Sequence, residues 1–202
     1  MIGVKNEMDL EQNRERFHNI INEINNNIKQ NLESIDFYKL NDLIEKIVKI
    51  YAANRMIFIY GAGRSGFIGR CFAQRLMHLG IKSCFISDAI TYQYTKDDLL
   101  ILISGSGETT STVAIAKKAK EIGGTIILFT ANSLSSIARI SHLIIEILGK
   151  SKDKALLENT YAPYTTLFDI STLTILDSIA GLLMKILGVS EGDINKRHAS
   201  IE

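Results

Sequence analysis

The sequence predicts an α/β fold: a three-layer, doubly wound, five-stranded parallel sheet with extra helices at the N-terminus. Three observations carry this expectation. From residue 56 onward, short apolar runs alternate with helical patterns. The connections between them are short, and such alternation implies parallel strands joined by right-handed crossovers. Proline is almost absent: the 202 residues include 1 Pro, where an average chain of this length carries about ten. That scarcity leaves little room for a Pro-rich linker or a loop-heavy all-β fold.

Residues 9–53 read as two amphipathic helices. Leu10, Phe17, Ile20, Ile21, Ile24 and Ile28 recur at helical spacing, as do Leu40, Leu43, Ile44, Ile47, Val48 and Ile50. The break between them lies in NLESIDFYKLND. The apolar stripe of the first helix must be buried, either by docking on the domain or in a subunit interface. MIFIY (56–60) is the first strand. Helix 65–79 follows, with Ile68, Phe72, Leu76 and Leu79 on one face and Gly80 as a C-cap candidate. KSCFIS (82–87) is the second strand. DLLILIS (98–104), the third, is apolar almost throughout, as a strand covered on both faces should be. Helix 110–123 leads to strand four, GTIILFT (124–130). A short helix, SLSSIARI (133–140), precedes strand five, HLIIEIL (142–148). A long helix at 166–187 and a short one, EGDINKRH, complete the pattern.

Lys and Arg total 23 and Asp and Glu 22, a formal charge of +1. This balance offers no electrostatic footprint for nucleic acid or an acidic membrane surface. No apolar run approaches the roughly 20 residues that span a bilayer, and the first residues lack a signal-peptide core. The chain is therefore expected in the cytoplasm. Cys71 and Cys84 form neither a disulfide framework nor a zinc site, and read as small buried hydrophobes. No metal is expected.

Ligands of doubly wound sheets bind at the carboxyl ends of strands. Gly61-Ala62-Gly63-Arg64-Ser65-Gly66 follows strand one and matches G-x-G-x-x-G, with Asp88 where a ribose-binding acid would sit. A nicotinamide-dependent oxidoreductase is thus one reading. Against it, an arginine occupies a position where the backbone would approach a pyrophosphate, and a richer loop follows strand three. That loop is Ser104-Gly105-Ser106-Gly107-Glu108-Thr109-Thr110. Its glycines let backbone N–H groups turn inward, and its hydroxyls enter a helix N-terminus that carries about half a positive charge. It lacks a P-loop lysine, so a phosphate monoester fits better than nucleotide phosphates. The plain structural alternative is that Thr109 or Thr110 caps the helix.

GAGRSG followed by LISGSGETT resembles the sugar isomerase (SIS) domain, a flavodoxin-like fold that binds phosphosugars. IYGAGRSGFIGRCFAQRLMHLG (59–80), KDDLLILISGSGET (96–109) and INKRHASIE (194–202) are most similar to its 6-phospho-3-hexuloisomerase branch, from about residue 40 to the end. The resemblance divides the chain into an N-terminal helical extension (1–35) and a phosphosugar-binding domain (36–202). It implies a homotetramer with sites near subunit boundaries and no cofactor. The implied activity interconverts 3-hexulose 6-phosphate and fructose 6-phosphate in the ribulose monophosphate pathway. It assigns Ser104, Gly105, Ser106 and Thr109 to the phosphate, and Gly63, Arg64 and Ser65 to the sugar.

Moving a carbonyl between adjacent carbons needs a group that removes a proton and returns it through an enediol. The family carries a glutamate for this in a segment like P-M-G-T-L-F-E. Here it reads Pro163-Tyr164-Thr165-Thr166-Leu167-Phe168-Asp169, with Asp169 one methylene shorter and Thr165 in place of glycine. A first-turn acid favoured by the helix dipole is the structural alternative. His198, in the terminal RHASIE, is the second acid–base candidate, acting in a neighbouring subunit's site. DAITY (88–92) departs from the family pattern, and Thr91 within it is a further candidate for substrate contact. His18, His78 and His142 read as structural, and Glu108 as turned away from a bound phosphate. A sugar-phosphate-binding protein without catalysis, or a different phosphosugar isomerase, are the alternatives.

Overall fold

The computed structural model describes residues 10–149 and 160–198. The start of the extension and the last residues of RHASIE lie outside them. The described chain runs α1 (Leu10–Ser34), α2 (Phe37–Ala52), β1 (Ile57–Gly61), α3 (Arg64–His78), β2 (Ser83–Phe85), β3 (Leu99–Ile103), α4 (Thr110–Ile122), β4 (Thr125–Thr130) and β5 (Leu143–Glu146). Two further helices, α5 (Thr166–Leu187) and α6 (Glu191–Arg197), follow. All strands are parallel, in the order β2-β1-β3-β4-β5.

Strand parity builds the layers, because alternate residues face opposite sides of the sheet. Ile57, Ile59, Leu99, Ile101, Ile103, Ile127 and Phe129 form one core with α2, α3 and α5. Phe58, Leu100, Leu102, Ile126 and Leu128 form the other with α4. The sheet thus lies between two helical layers. α5 is long and apolar enough to cross a membrane by length and composition, although Asp169, Thr172, Asp177 and Lys185 interrupt its apolar runs. Its face of Leu167, Phe168, Leu176, Ile179 and Leu183 is buried in the fold.

Four local expectations change. β2 is only three residues long, because it is an edge strand with β1 as its one partner. The expected helix at 133–140 reduces to a 3₁₀ turn, Ala138–Ile140. Ser135 N–H donates to Asn132 O, and the Ser135 hydroxyl accepts from Ala138 N–H. Such local bonds compete with helix. Cys71 is exposed and Cys84 half-buried, not both buried; burial still pushes the Cys84 thiol above its ordinary range.

The fourth change concerns α1. Leu10, Phe17 and Ile21 of its apolar stripe are exposed, Ile20, Ile24 and Ile28 are half-buried, and its fully buried residues are Asn27 and Asn31. Asn27 Nδ2 lies 2.9 Å from Leu148 O, 3.2 Å from Leu167 O and 2.8 Å from Ser171 Oγ. Asn31 donates to Leu148 O at 2.8 Å and accepts from Leu148 N–H at 2.7 Å. Glu23 accepts from the N–H groups of Tyr161 and Ala162 at 2.9 and 2.7 Å. Amides and a carboxylate, beside the half-buried Ile20, Ile24 and Ile28, fasten α1 to α5 and the segment that leads into it.

Candidate active site

The strand order turns back on itself between β1 and β3, which is where ligands bind in such sheets. The loops after these two strands are the two glycine loops, and they share one cavity of about 480 Å³. Ala62, Gly63, Arg64 and Ser65 line one side, Ile103, Ser104, Gly105, Ser106 and Thr109 another. Tyr164, Thr165, Phe168 and Asp169 close the third. The N-termini of α3, α4 and α5 therefore converge on one space. Each brings about half a positive charge, so the cavity is biased toward an anion.

The loop after β3 is shaped from beneath. Gly107 has φ +65°, and a Cβ there would stand 2.0 Å from Ser135 Oγ. Gly107 N–H donates to Ser104 Oγ at 3.1 Å, and Glu108 N–H to Ser106 Oγ at 3.2 Å. Thr130 Oγ1 donates to Gly105 O and Asn132 Nδ2 to Ser106 O. Thr109 stands at the N-cap of α4 but its side chain makes no capping hydrogen bond. It lies 3.5 Å from Ser104 Oγ instead, so capping does not explain it. Glu108 is turned away: its carboxylate accepts from Ser136 N–H at 2.6 Å. That bond, with Arg139 nearby, holds its carboxyl below the usual range.

In the loop after β1, a Cβ at Gly61 would lie 2.8 Å from the Ser65 backbone. Glycine there lets α3 start close against the strand. Asp88, the candidate ribose ligand, pairs with Arg70 at 3.0 Å in a separate groove with Ile90 and Tyr92.

Asp169 sits in the first turn of α5 and is 3% exposed. Its Oδ2 accepts from Arg64 Nε at 2.6 Å and from Thr165 Oγ1 at 2.8 Å. Its Oδ1 is buried and has no hydrogen-bond partner among the described residues. A buried carboxylate with one oxygen anchored and the other unclaimed, beside an anion cradle, has the groups for proton transfer on a bound phosphate ester. The Gly105 Cβ position would lie 3.3 Å from the Phe168 ring, so cradle and acid meet at close quarters.

The structure gathers Gly63, Arg64, Ser65, Ser104, Gly105, Ser106, Thr109 and Asp169 in this cavity. It does not gather Thr91 or His198. Thr91 is exposed beyond β2 and hydrogen-bonds near Cys84, because the chain leaves the short edge strand away from the switch point. His198 caps the C-terminus of α6 and its ring lies tilted against that of His78, centroids 4.2 Å apart. His78 ends α3 while Arg64 begins it, a separation of about 21 Å at 1.5 Å per residue. The sequence reading missed Tyr164 and Phe168 in the cavity wall, and Thr130 and Asn132 beneath the loop. Their position at the carboxyl end of a strand, or in the segment before Asp169, was the available signal.

A family model for the SIS domain matches residues 49–176. The chain belongs to the SIS domain family. It is 44% identical over 164 residues to the 3-hexulose-6-phosphate isomerase of Methanocaldococcus jannaschii, across 81% of this chain and 84% of that one. The 3-hexulose-6-phosphate isomerase of Bacillus subtilis is 33% identical over 184 residues, 91% of this chain and 95% of that one. The fold is similar to a solved Methanococcus jannaschii protein whose structure infers 3-hexulose-6-phosphate isomerase function. The TM-score is 0.77 at 42% identity, covering 89% of this chain and 97% of the other. Every cavity residue falls within the SIS match, whereas α1 and His198 fall outside it.

Proposed function

We propose that the chain is a phosphosugar isomerase that interconverts 3-hexulose 6-phosphate and fructose 6-phosphate. The observation that carries the proposal is the buried, half-anchored Asp169 carboxylate in the same cavity as a hydroxyl-rich anion cradle. The similarity to 3-hexulose-6-phosphate isomerases supports the choice of substrate.

Ser104, Ser106 and Thr109 hold the phosphate, with the helix N-termini around it. Gly63, Arg64 and Ser65 flank the sugar. Asp169 takes the proton from C2 of the 3-hexulose; the electron pair forms the C2–C3 double bond of an enediol. The same carboxyl returns the proton to C3, while the hydroxyl proton passes from O2 to O3. One C–H bond breaks and one forms, so the reaction balances without a redox partner. Arg64 and Thr165 keep the carboxyl fixed through Oδ2.

A homotetramer belongs to this reading. A surface groove lined by Phe67, Ile68, Cys71, Ile170 and Leu173 runs up to Arg64 and Asp169, and a neighbouring subunit seated there would bring the site to a boundary. His198, far from its own cavity, then acts in a neighbour's. Sedimentation equilibrium giving a monomer would remove that part. A phosphorylated metabolite of this kind, from the ribulose monophosphate pathway, places the work in the cytoplasm.

The direct test supplies 3-hexulose 6-phosphate and follows fructose 6-phosphate. No conversion by pure folded protein, together with turnover of another phosphosugar, overturns the substrate assignment.

A further inference from the structure

Pro163, Tyr164, Thr165 and Thr166 form a tight turn closed by Thr166 N–H donating to Pro163 O at 3.0 Å. Thr165 occupies its third position with φ 67° and ψ −13°. Those angles belong to the third residue of a type II turn, a position that calls for glycine or asparagine. A β-branched side chain in the left-handed region is a backbone outlier. Such strain persists only where the surroundings enforce it, and it concentrates at functional sites.

Thr165 gives its helix nothing in the usual currency of an N-cap. Its side chain makes no capping bond to α5. Its hydroxyl goes instead to Asp169 Oδ2 at 2.8 Å. The left-handed backbone is what lets a residue one turn earlier face the carboxylate that the first turn of α5 presents. Arg64 is the other ligand of that oxygen, but its side chain is 62% exposed and belongs to a different loop. A solvated arginine holds a charge more firmly than it holds an orientation. The short, half-buried threonine fixes the angle of the carboxyl plane.

The geometry points to Thr165 as a positioning residue for Asp169, retained against its backbone preference because its hydroxyl sets the acid's orientation. The assignment rests on the proposed proton transfer by Asp169. Aspartate has two side-chain torsions, and misplacing a catalytic group by about 1 Å can cost two orders of magnitude in rate. Glycine would relax the turn but leave the carboxyl to Arg64 alone.

The test compares Thr165→Ser, Thr165→Val and Thr165→Gly with wild type in the 3-hexulose 6-phosphate assay. Thr165→Val, isosteric but without the hydroxyl, is expected to lower kcat about tenfold or more with KM changed less than about twofold. Thr165→Ser is expected to keep kcat within about threefold of wild type, since the donor remains. Thr165→Gly is expected to lose kcat like Thr165→Val while its melting midpoint stays within about 2 °C of wild type, because relief of strain offsets the lost bond. A merely structural role would move stability and activity together and would not be rescued by serine. Full kcat in Thr165→Val or Thr165→Gly, with wild type active, overturns this assignment alone. An inactive wild type overturns the isomerase reading, and this assignment with it.

Discussion

Replacing Asp169 by asparagine separates chemistry from binding and folding. The change keeps the shape of the side chain and one carbonyl oxygen, which can still accept from Thr165 Oγ1 or Arg64 Nε. It removes the proton carrier. General acid–base catalysis contributes about 10²–10⁴ in rate, so the barrier should rise by roughly 3–5 kcal/mol. The folding cost should be much smaller. Asp169 is 3% exposed, but its partner Arg64 is 62% exposed and becomes solvated once the pair is broken. The loss is then that of one or two hydrogen bonds, about 1–2 kcal/mol, a fall of a few degrees in Tm. The new amide N–H₂ takes the place of Oδ1, which has no partner to lose among the described residues. Two assays decide the matter: deuterium exchange at the sugar carbons, followed by NMR, and calorimetric titration with fructose 6-phosphate. Exchange should vanish while binding persists within about threefold. Full exchange in Asp169→Asn would refute the role given to this carboxyl, and loss of binding together with exchange would show that it supports the cavity instead.

Three further outcomes are expected. Thr109→Val removes a hydroxyl that caps nothing, so it should weaken fructose 6-phosphate binding by about 10-fold or more, the worth of a hydrogen bond to a charged group, and leave Tm almost unchanged; equal affinity by titration would take Thr109 out of the phosphate cradle. Pro163→Ala should lower turnover more than Tm, because Pro163 is exposed yet opens the turn that carries Thr165; a parallel loss of both by kinetics and calorimetry would reduce it to a stability residue. His142 Nδ1 accepts from Ile126 N–H at 2.9 Å, and burial first, then Lys120 and Lys46, hold its imidazole below the ordinary 6.5. The unfolded chain therefore binds this proton more readily than the folded one, so the contribution is complete above about pH 6.5 and is lost as pH falls from there toward the folded value. Tm should decline over that range and His142→Asn should flatten the decline; identical profiles would contradict it.

Much of the fold was legible because it rests on local periodicity. The alternating strand residues and the bounds of Thr166–Leu187 follow from apolar spacing that packing then honours. The short edge strand and the 3₁₀ turn at Ala138–Ile140 were less legible, since pairing and side-chain-to-backbone bonds override weak propensity there. In the site, the glycine and hydroxyl loops announce themselves by composition and by their place after β1 and β3. Asp169 came from a segment resemblance, and its anchoring to Arg64 spans 105 residues, which no window reveals. The same is true of α1: its apolar stripe pointed to a buried face, which Ile20, Ile24 and Ile28 only half supply, and amides at Asn27 and Asn31 add bonds to partners more than 100 residues away.

That amide fastening has a consequence for the order in which the site is assembled and lost. Asn27 and Leu167 are separated by 140 residues, and closing a loop of that length costs about 4 kcal/mol of chain entropy. The first described helix to leave the ribosome must wait for one of the last segments before it can dock. On heating, the sequence reverses: α1 is held by a handful of polar bonds and three half-buried isoleucines, whereas the strands are locked in two apolar cores. Its release would free the Tyr161–Ala162 backbone from Glu23 and loosen the turn ahead of Asp169. Heat inactivation would then run ahead of the melting of the sheet, an enzyme switched off at its seam before it unfolds.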